Sequence, residues 1–171
     1  MATDYTTING KTFWQLIDQS HSAAKGKQDA QIAHLKTALT PYSPTALLSF
    51  ITIYTDHIYR ANQWHLWTAS ELINGKADEE TFEAFRDWLI SKGETTYKAA
   101  LKDAESLVNV AEPGTSTFAD LRTVGREMFI AKMGSNPPFQ VRHKPKRRGV
   151  KFEGKPEEAF PKLAAWLKQK G

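Results

Sequence analysis

Hydrophobic side chains recur every three or four residues along most of the chain, which is the spacing that places them on one face of an α-helix. Near the N-terminus, Thr12 followed by Gln15 has the spacing of a capping box and predicts a helix start. Ser43-Pro44 is also typical of a helix start, because serine can cap a helix and proline fits its first position. The hydrophobic positions that follow it are Leu47, Leu48, Ile51, Tyr54, Ile58 and Tyr59. The pattern predicts an all-α fold, a compact multi-helix single domain.

A tight turn between two helices is predicted in the middle of the chain. Asn74-Gly75 is typical of a helix end, because glycine readily adopts the left-handed conformation found there. Asp78 is typical of the cap of the next helix, since its carboxylate can accept from free backbone amides. Glu79 and Glu80 follow in the first turn, where the helix dipole favours negative charge.

The helical spacing stops at Asn136-Pro137-Pro138, where two consecutive prolines interrupt regular structure. The residues that follow are too polar to pack as a helix. We therefore predict a helical domain over residues 1–135 and a basic C-terminal segment with a final helix over residues 136–171.

Two elements are predicted within this C-terminal segment. Residues 139–142 and 149–152 are predicted to pair as a short hairpin around a basic turn. A final helix is predicted from Pro156 onward, with Pro161 as the alternative start of its regular part, because proline is disfavoured inside a helix.

Charge is distributed unevenly along the chain. The first 140 residues contain 13 Lys or Arg and 16 Asp or Glu, a net charge of −3, whereas the last 31 residues contain 10 and 3, a net charge of +7. A basic cluster of this kind attracts anionic partners. The residues predicted to bind an anion or a partner are Arg142, Lys144, Lys146, Arg147, Arg148, Lys151 and Lys155. The alternatives are a solvated loop and a loop that docks on the acidic body of the same chain.

The absence of cysteine narrows the chemistry. It excludes disulfides, thiolate metal sites and cysteine nucleophiles. No stretch approaches the roughly 18 to 20 apolar residues that span a bilayer, and the N-terminus lacks the layout of a signal peptide. We expect a cytoplasmic protein with no membrane partner and no cofactor.

A long motif carries a resemblance to a known family. It runs as His65-Leu66-Trp67-x-Ala69-x-x-Leu72-Ile73-Asn74-Gly75-x-x-Asp78-Glu79 and continues as Phe82-x-x-Phe85-Arg86-x-Trp88-Leu89-Ile90-x-x-Gly93, with Phe13-Trp14-x-Leu16-Ile17 earlier in the chain. This motif resembles the bacterial domain of unknown function family 4240, over roughly residues 10–130, a single-domain length. The resemblance implies a fold and supplies no established activity.

The acidic residues after Gly75 raise the hypothesis of a metal site. Glu79 and Glu83 lie one helical turn apart and could share a hard cation. Helix starts are commonly acidic, and no histidine lies near these residues in sequence to complete a transition-metal set. We therefore favour a capped helix and predict no metal site.

A second hypothesis is an aromatic pocket formed by Trp64, His65, Trp67 and Trp88. Tryptophan rings can bind a base or a cation on their faces. At helical spacing, however, such residues more often belong to the core, which is the interpretation we favour.

The sequence contains no nucleophile elbow and no phosphate-binding loop, and we predict no catalytic residues. It favours a non-enzymatic binding or regulatory module that acts through a protein partner, and a toxin-neutralising role fits a small stand-alone module of this kind. The alternative is nucleic-acid binding through residues 142–155. A third hypothesis is an unrecognised metal-assisted hydrolase that uses Asp78 and Glu79.

Overall fold

The computed structural model describes residues 2–138 and 145–170. Over these ranges it contains nine α-helices and no strand, which confirms the predicted all-α fold. The helices are α1 (Gly10–Ala24), α2 (Gln28–Leu39), α3 (Pro44–Arg60), α4 (Trp64–Asn74), α5 (Glu79–Ser91), α6 (Glu94–Lys102), α7 (Val124–Met133), α8 (Pro156–Ala159) and α9 (Pro161–Lys170). Two short 3-10 turns, Ala104–Leu107 and Leu121–Thr123, lie between α6 and α7. Among the described residues, no helix combines the length and apolar character needed to cross a bilayer.

The chain divides into two compact units, and each is described by itself. Unit 1 consists of Met1–His57 and Asp120–Lys144, and unit 2 consists of Ile58–Ala119 and Pro145–Gly171. This grouping differs from the division predicted at residue 135, because the chain from Pro145 onward packs in the same unit as α4, α5 and α6.

Unit 1 has its core around Phe13 of α1, whose side chain is fully buried. The Phe13 ring lies 5.0 Å from that of Phe50 and 5.2 Å from that of His57, measured between centroids. The cap of α1 is Asn9, whose Oδ1 accepts a 2.9 Å hydrogen bond from the amide of Thr12. The predicted helix start at Thr12 is therefore wrong, because the asparagine side chain begins the helix earlier.

The turn between α4 and α5 in unit 2 confirms both local predictions made for it. Gly75 ends α4 with φ 74° and ψ 13°, and its amide donates a 2.8 Å hydrogen bond to the carbonyl of Glu71. Asp78 caps α5, because its Oδ1 accepts a 2.7 Å hydrogen bond from the amide of Thr81. The turn folds α5 back against α4.

The buried face of α5 forms a row of aromatic rings. Phe82, Phe85 and Trp88 follow one another at a spacing of three residues, which keeps them on one side of the helix. The Phe82 and Phe85 rings are 6.5 Å apart at an interplanar angle of 23°, and the Phe85 and Trp88 rings are 5.7 Å apart at 18°. Burial of large rings of this kind stabilises the core of unit 2.

The predicted C-terminal helix is joined to the core of unit 2. It divides into α8 and α9, and α9 begins at Pro161, which confirms the alternative start. At the beginning of α9, the amide of Leu163 donates a 3.0 Å hydrogen bond to the carboxylate of Glu105. The Leu163 side chain is fully buried, so both a backbone contact and apolar burial hold this helix.

The predicted hairpin can be followed only in part. Its first arm, residues 139–142, lies outside the described residues. Its second arm, residues 149–152, contains no regular structure. The neighbouring Arg148 instead forms an isolated parallel bridge with Gln63, which is a contact to the start of α4.

We predict that Gly75→Ala lowers the free energy of unfolding by about 1 kcal/mol, because an L-residue is disfavoured at this backbone conformation. An added Cβ would meet nothing within 4 Å, so the cost comes from the backbone and not from a clash. Urea unfolding measures the change.

Gly10→Ala is the matched control, since Gly10 also has open space around it but has no positive φ. It should be neutral or slightly stabilising. Equal losses at both positions would contradict the explanation given for Gly75.

Candidate functional site

Three rings of unit 2 form an aromatic cage, which we define as Trp64, Trp67 and Phe82. Trp64 and Trp67 lie three residues apart and therefore share one face of α4, with their ring centroids 6.0 Å apart. The Phe82 ring of α5 lies 5.4 Å from that of Trp67 at an interplanar angle of 71°. Phe82 is buried, whereas both tryptophans are half-buried. The cage is thus closed at its base by Phe82, and parts of both tryptophans reach the surface.

The cage holds the guanidinium group of Arg147. Its central carbon lies 4.6 Å from the ring centroid of Trp64, 4.4 Å from that of Trp67 and 5.0 Å from that of Phe82. All three distances are within the range of about 6 Å over which a cation is attracted to a ring face. Only 13% of the Arg147 side chain is exposed. One cation of the predicted basic cluster is therefore largely removed from water.

Two polar side chains complete the Arg147 site. Arg147 Nε donates a 2.9 Å hydrogen bond to Oδ1 of Asn62. Arg147 Nη2 donates to both carboxylate oxygens of Glu79, at 2.6 and 2.8 Å. Glu79 is 65% exposed, so water and salt weaken this ion pair. The rings contact the flat faces of the guanidinium, the amide oxygen of Asn62 accepts from its edge, and the carboxylate of Glu79 balances its charge.

The backbone next to Arg147 is held as well. The Arg148 amide donates a 3.0 Å hydrogen bond to the carbonyl of Asn62, and the Trp64 amide donates a 2.9 Å bond to the carbonyl of Arg148. Asn62 Nδ2 also lies 3.4 Å from the carbonyl oxygen of Pro145. The segment thus docks through main-chain bonds, as an extended peptide pairs with an exposed backbone edge.

The register of this segment determines which of its cations is docked and which are exposed. Successive side chains of an extended chain point to opposite sides. Arg147 points into the cage, whereas Lys146 and Arg148 are exposed. Lys151 and Lys155 are exposed as well, while Arg142 and Lys144 lie outside the described residues. The structure therefore distinguishes one docked cation from four that face water.

Two apolar side chains stand among these exposed cations. Val150 is 90% exposed and Phe152 is 41% exposed. The Lys151 ammonium between them lies 5.7 Å from the Trp64 ring centroid. We define the basic surface as the exposed side chains Lys146, Arg148, Val150, Lys151, Phe152 and Lys155. It combines positive charge with apolar contact area.

The acidic residues after Gly75 act within this arrangement. Hydrogen bonds from the backbone and side chain of Thr81 lower the pKa of Asp78, so this carboxylate is held ionised as the cap of α5. The neighbouring Glu79 pairs with Arg147. Within residues 2–138 and 145–170, no three His, Asp or Glu side chains are placed together so that they could hold a metal ion.

The four residues of the hypothesised pocket do not all meet. Trp64 and Trp67 line the cage, whereas Trp88 is fully buried and stacks on Phe85. His65 Nε2 lies 2.9 Å from Oε1 of Gln63. Burial lowers the pKa of His65 and outweighs the opposing effects of Asp103 and the Leu101 carbonyl.

Sequence analysis missed Asn62 and Phe82 as parts of the site, and it weighed Glu79 as a metal ligand and not as the partner of an arginine. The signal for Glu79 was its charge beside a tryptophan-rich helix, opposite in sign to the basic cluster. No local pattern points to Asn62, because its contribution depends on a segment more than 80 residues away in the chain.

Comparison with protein-family models identifies the family of the chain. A family model described as "Protein of unknown function (DUF4240)" matches residues 8–131. That range contains the cage, Asn62 and Glu79, and it ends before Arg147. No curated protein and no solved structure matches the chain.

We predict that Arg147→Ala lowers the free energy of unfolding by about 1 to 2 kcal/mol, because it removes a largely buried cation–π contact and a partly exposed ion pair. Arg148→Ala is the matched control, since it removes an exposed cation and keeps the backbone bridge. It should change stability by less than about 0.5 kcal/mol. Urea unfolding followed by tryptophan fluorescence measures both, and similar losses would contradict the assignment of Arg147 as the anchor.

A second prediction concerns pH. Because the pKa of folded His65 lies below its ordinary value of 6.5, the unfolded chain binds more protons as the pH falls below that value. The contribution of the neutral His65 ring to the free energy of unfolding is fully present above pH 6.5. It is lost as the pH falls through the pKa of His65 in the folded chain. Unfolding free energies measured from pH 7.5 to 5 should therefore fall less in His65→Gln than in the original chain, and identical slopes would contradict this.

Proposed function

The chain belongs to the DUF4240 family, whose description names no activity, and we propose from the geometry of unit 2 that it is a non-enzymatic binding module that acts through an acidic protein partner. The binding site in this proposal is the basic surface. The observation that supports it most directly is the docking of Arg147, which fixes the segment while its neighbours remain exposed.

Docking of the segment favours binding for an energetic reason. A flexible loop loses conformational entropy when a partner orders it, and this loss reduces affinity. Here the cage and the backbone bridge to Asn62 and Trp64 already hold the segment. A partner would therefore meet a backbone that is already positioned at Lys146 and Arg148.

The composition of the basic surface favours a protein over a nucleic acid. Phosphate groups are bound by cations and by hydrogen-bond donors, and a valine contributes nothing to such contacts. Protein interfaces instead combine an apolar centre with a polar rim. Val150 and Phe152, set among Arg148, Lys151 and Lys155, fit that arrangement.

We predict that two different variants of the basic surface reduce capture of the same partner. One removes charge (Lys146→Ala, Arg148→Ala and Lys151→Ala together), and the other replaces apolar groups (Val150→Asp with Phe152→Ala). The measurement is quantitative affinity capture from nuclease-treated extract of cells that express the protein. With the captured partner purified, the charge variant should associate about tenfold more slowly at low salt.

The matched control carries Lys11→Ala, Lys27→Ala and Lys102→Ala, which removes the same charge from exposed positions elsewhere. It should capture the partner as the original chain does. Capture that is unchanged in both surface variants would refute the proposal.

Nucleic-acid binding is the second candidate, supported by the four exposed cations and by Phe152, whose ring could stack on a base. It predicts that duplex DNA or single-stranded RNA binds at low salt, with a log–log salt slope of roughly −3 to −4 for four phosphate contacts. A flat titration would remove this candidate and leave the protein partner.

A further inference from the structure

We propose that the aromatic cage, with Asn62 and Glu79, is a recognition site for an arginine side chain of a protein partner, and that Arg147 occupies this site within the same chain. We call the cage and these two residues the arginine pocket. This pocket and its ligand are distinct from the basic surface, so the inference does not depend on the proposed function.

The arginine pocket selects a guanidinium over an ammonium. Arg147 uses two different nitrogens, Nε toward Asn62 and Nη2 toward Glu79. A lysine ammonium has three donors, but all of them extend from one nitrogen, so it does not reproduce the spacing between Nε and Nη2. The flat guanidinium also presents its faces to Trp64 and Trp67, whereas an ammonium is compact and strongly hydrated.

The contacts do not depend on the identity of the flanking side chains. Lys146 and Arg148 are exposed on either side of Arg147. The remaining hydrogen bonds to the segment are made to backbone groups, namely the carbonyl of Pro145 and the amide and carbonyl of Arg148. The Lys151 ammonium adds one side-chain contact, 5.7 Å from the Trp64 ring centroid. An extended segment in which an arginine is followed by a residue other than proline could make the same set of hydrogen bonds.

The backbone contacts also indicate the source of the arginine. The Asn62 carbonyl and the Trp64 amide pair with the residue that follows Arg147. Free arginine has no following residue, so it cannot form these two bonds. An arginine carried by a polypeptide is therefore the ligand that the pocket fits best.

Because Arg147 occupies the pocket, it competes with a partner arginine for the same site. A tethered ligand has a high effective concentration, commonly in the millimolar range for a short connection. A partner arginine must compete with it, and vacating the pocket should increase the apparent affinity for that partner by at least about tenfold.

The test uses the full chain with Arg147→Ala and Arg148→Pro together. The first change empties the pocket, and the second removes the amide that donates to the Asn62 carbonyl. The probe is the capped peptide Pro-Lys-Arg-Arg-Gly-Val-Lys, which copies residues 145–151, and tryptophan fluorescence follows its binding to the pocket. The matched control carries Lys146→Ala and Lys155→Ala, which removes the same charge from exposed positions and leaves Arg147 in place.

We expect saturable binding to the double variant, with a dissociation constant on the order of 1 mM or below. Binding should be at least about tenfold weaker to the original chain, to the control and with a peptide in which lysine replaces the first arginine. Equal binding of the lysine peptide, or equal binding to all three proteins, would overturn the proposal. L-arginine that binds as tightly as the peptide would assign the pocket to a small molecule instead and would also overturn it.

A second measurement covers the case in which the double variant does not fold, as judged by circular dichroism. It uses Arg147→Ala alone with N-ethylguanidinium, which fills the space beyond the remaining Cβ, and with ethylammonium as the matched cation. Saturable fluorescence change with the first and not with the second is the expected result. No response to either, or the same response to both, would overturn the assignment.

Discussion

Removal of the Arg147 guanidinium from water is the constraint on which the arrangement of unit 2 depends. A buried cation is costly unless its charge and its donors are satisfied. The cage supplies ring faces, and Asn62 and Glu79 supply oxygens at hydrogen-bond distance. Arginine is more weakly hydrated than lysine, so it loses less on entering such a site. This difference explains why an arginine, and not the adjacent Lys146, is the docked residue.

The docked residue then sets the register of its neighbours. A shift of the segment by one residue would place Lys146 or Arg148 in the cage and would reverse which side chains face water. The cage itself depends on the turn at Gly75, because that turn places Phe82 of α5 beside Trp67 of α4. A local backbone conformation at Gly75 thus helps to form the cage, and the cage determines that Arg147 is docked while Lys146 and Arg148 are exposed.

Sequence analysis identified interactions between residues that are close in sequence and missed those between residues that are far apart. Gly75 and Asp78 act on groups within four residues of themselves, and the sequence identified both. The start of α1 was placed too late because Thr12 and Asn9 are both good caps, and only the structure shows which one is used. Arg147 and Glu79 lie 68 residues apart. Seven similar cations in the basic cluster gave no basis for choosing one of them.

Glu79 connects the docked segment to the hypothesis of a metal-assisted hydrolase. A divalent cation at this carboxylate would need the oxygens that accept from Arg147 Nη2, at 2.6 and 2.8 Å. It would also place like charges side by side in a partly buried site, which is unfavourable. Metal binding at Glu79 and docking of Arg147 therefore oppose each other. The rings and Asn62 hold the Arg147 guanidinium in addition to its ion pair with Glu79. A metal ion would therefore have to compete with all of these contacts and not with a surface salt bridge alone.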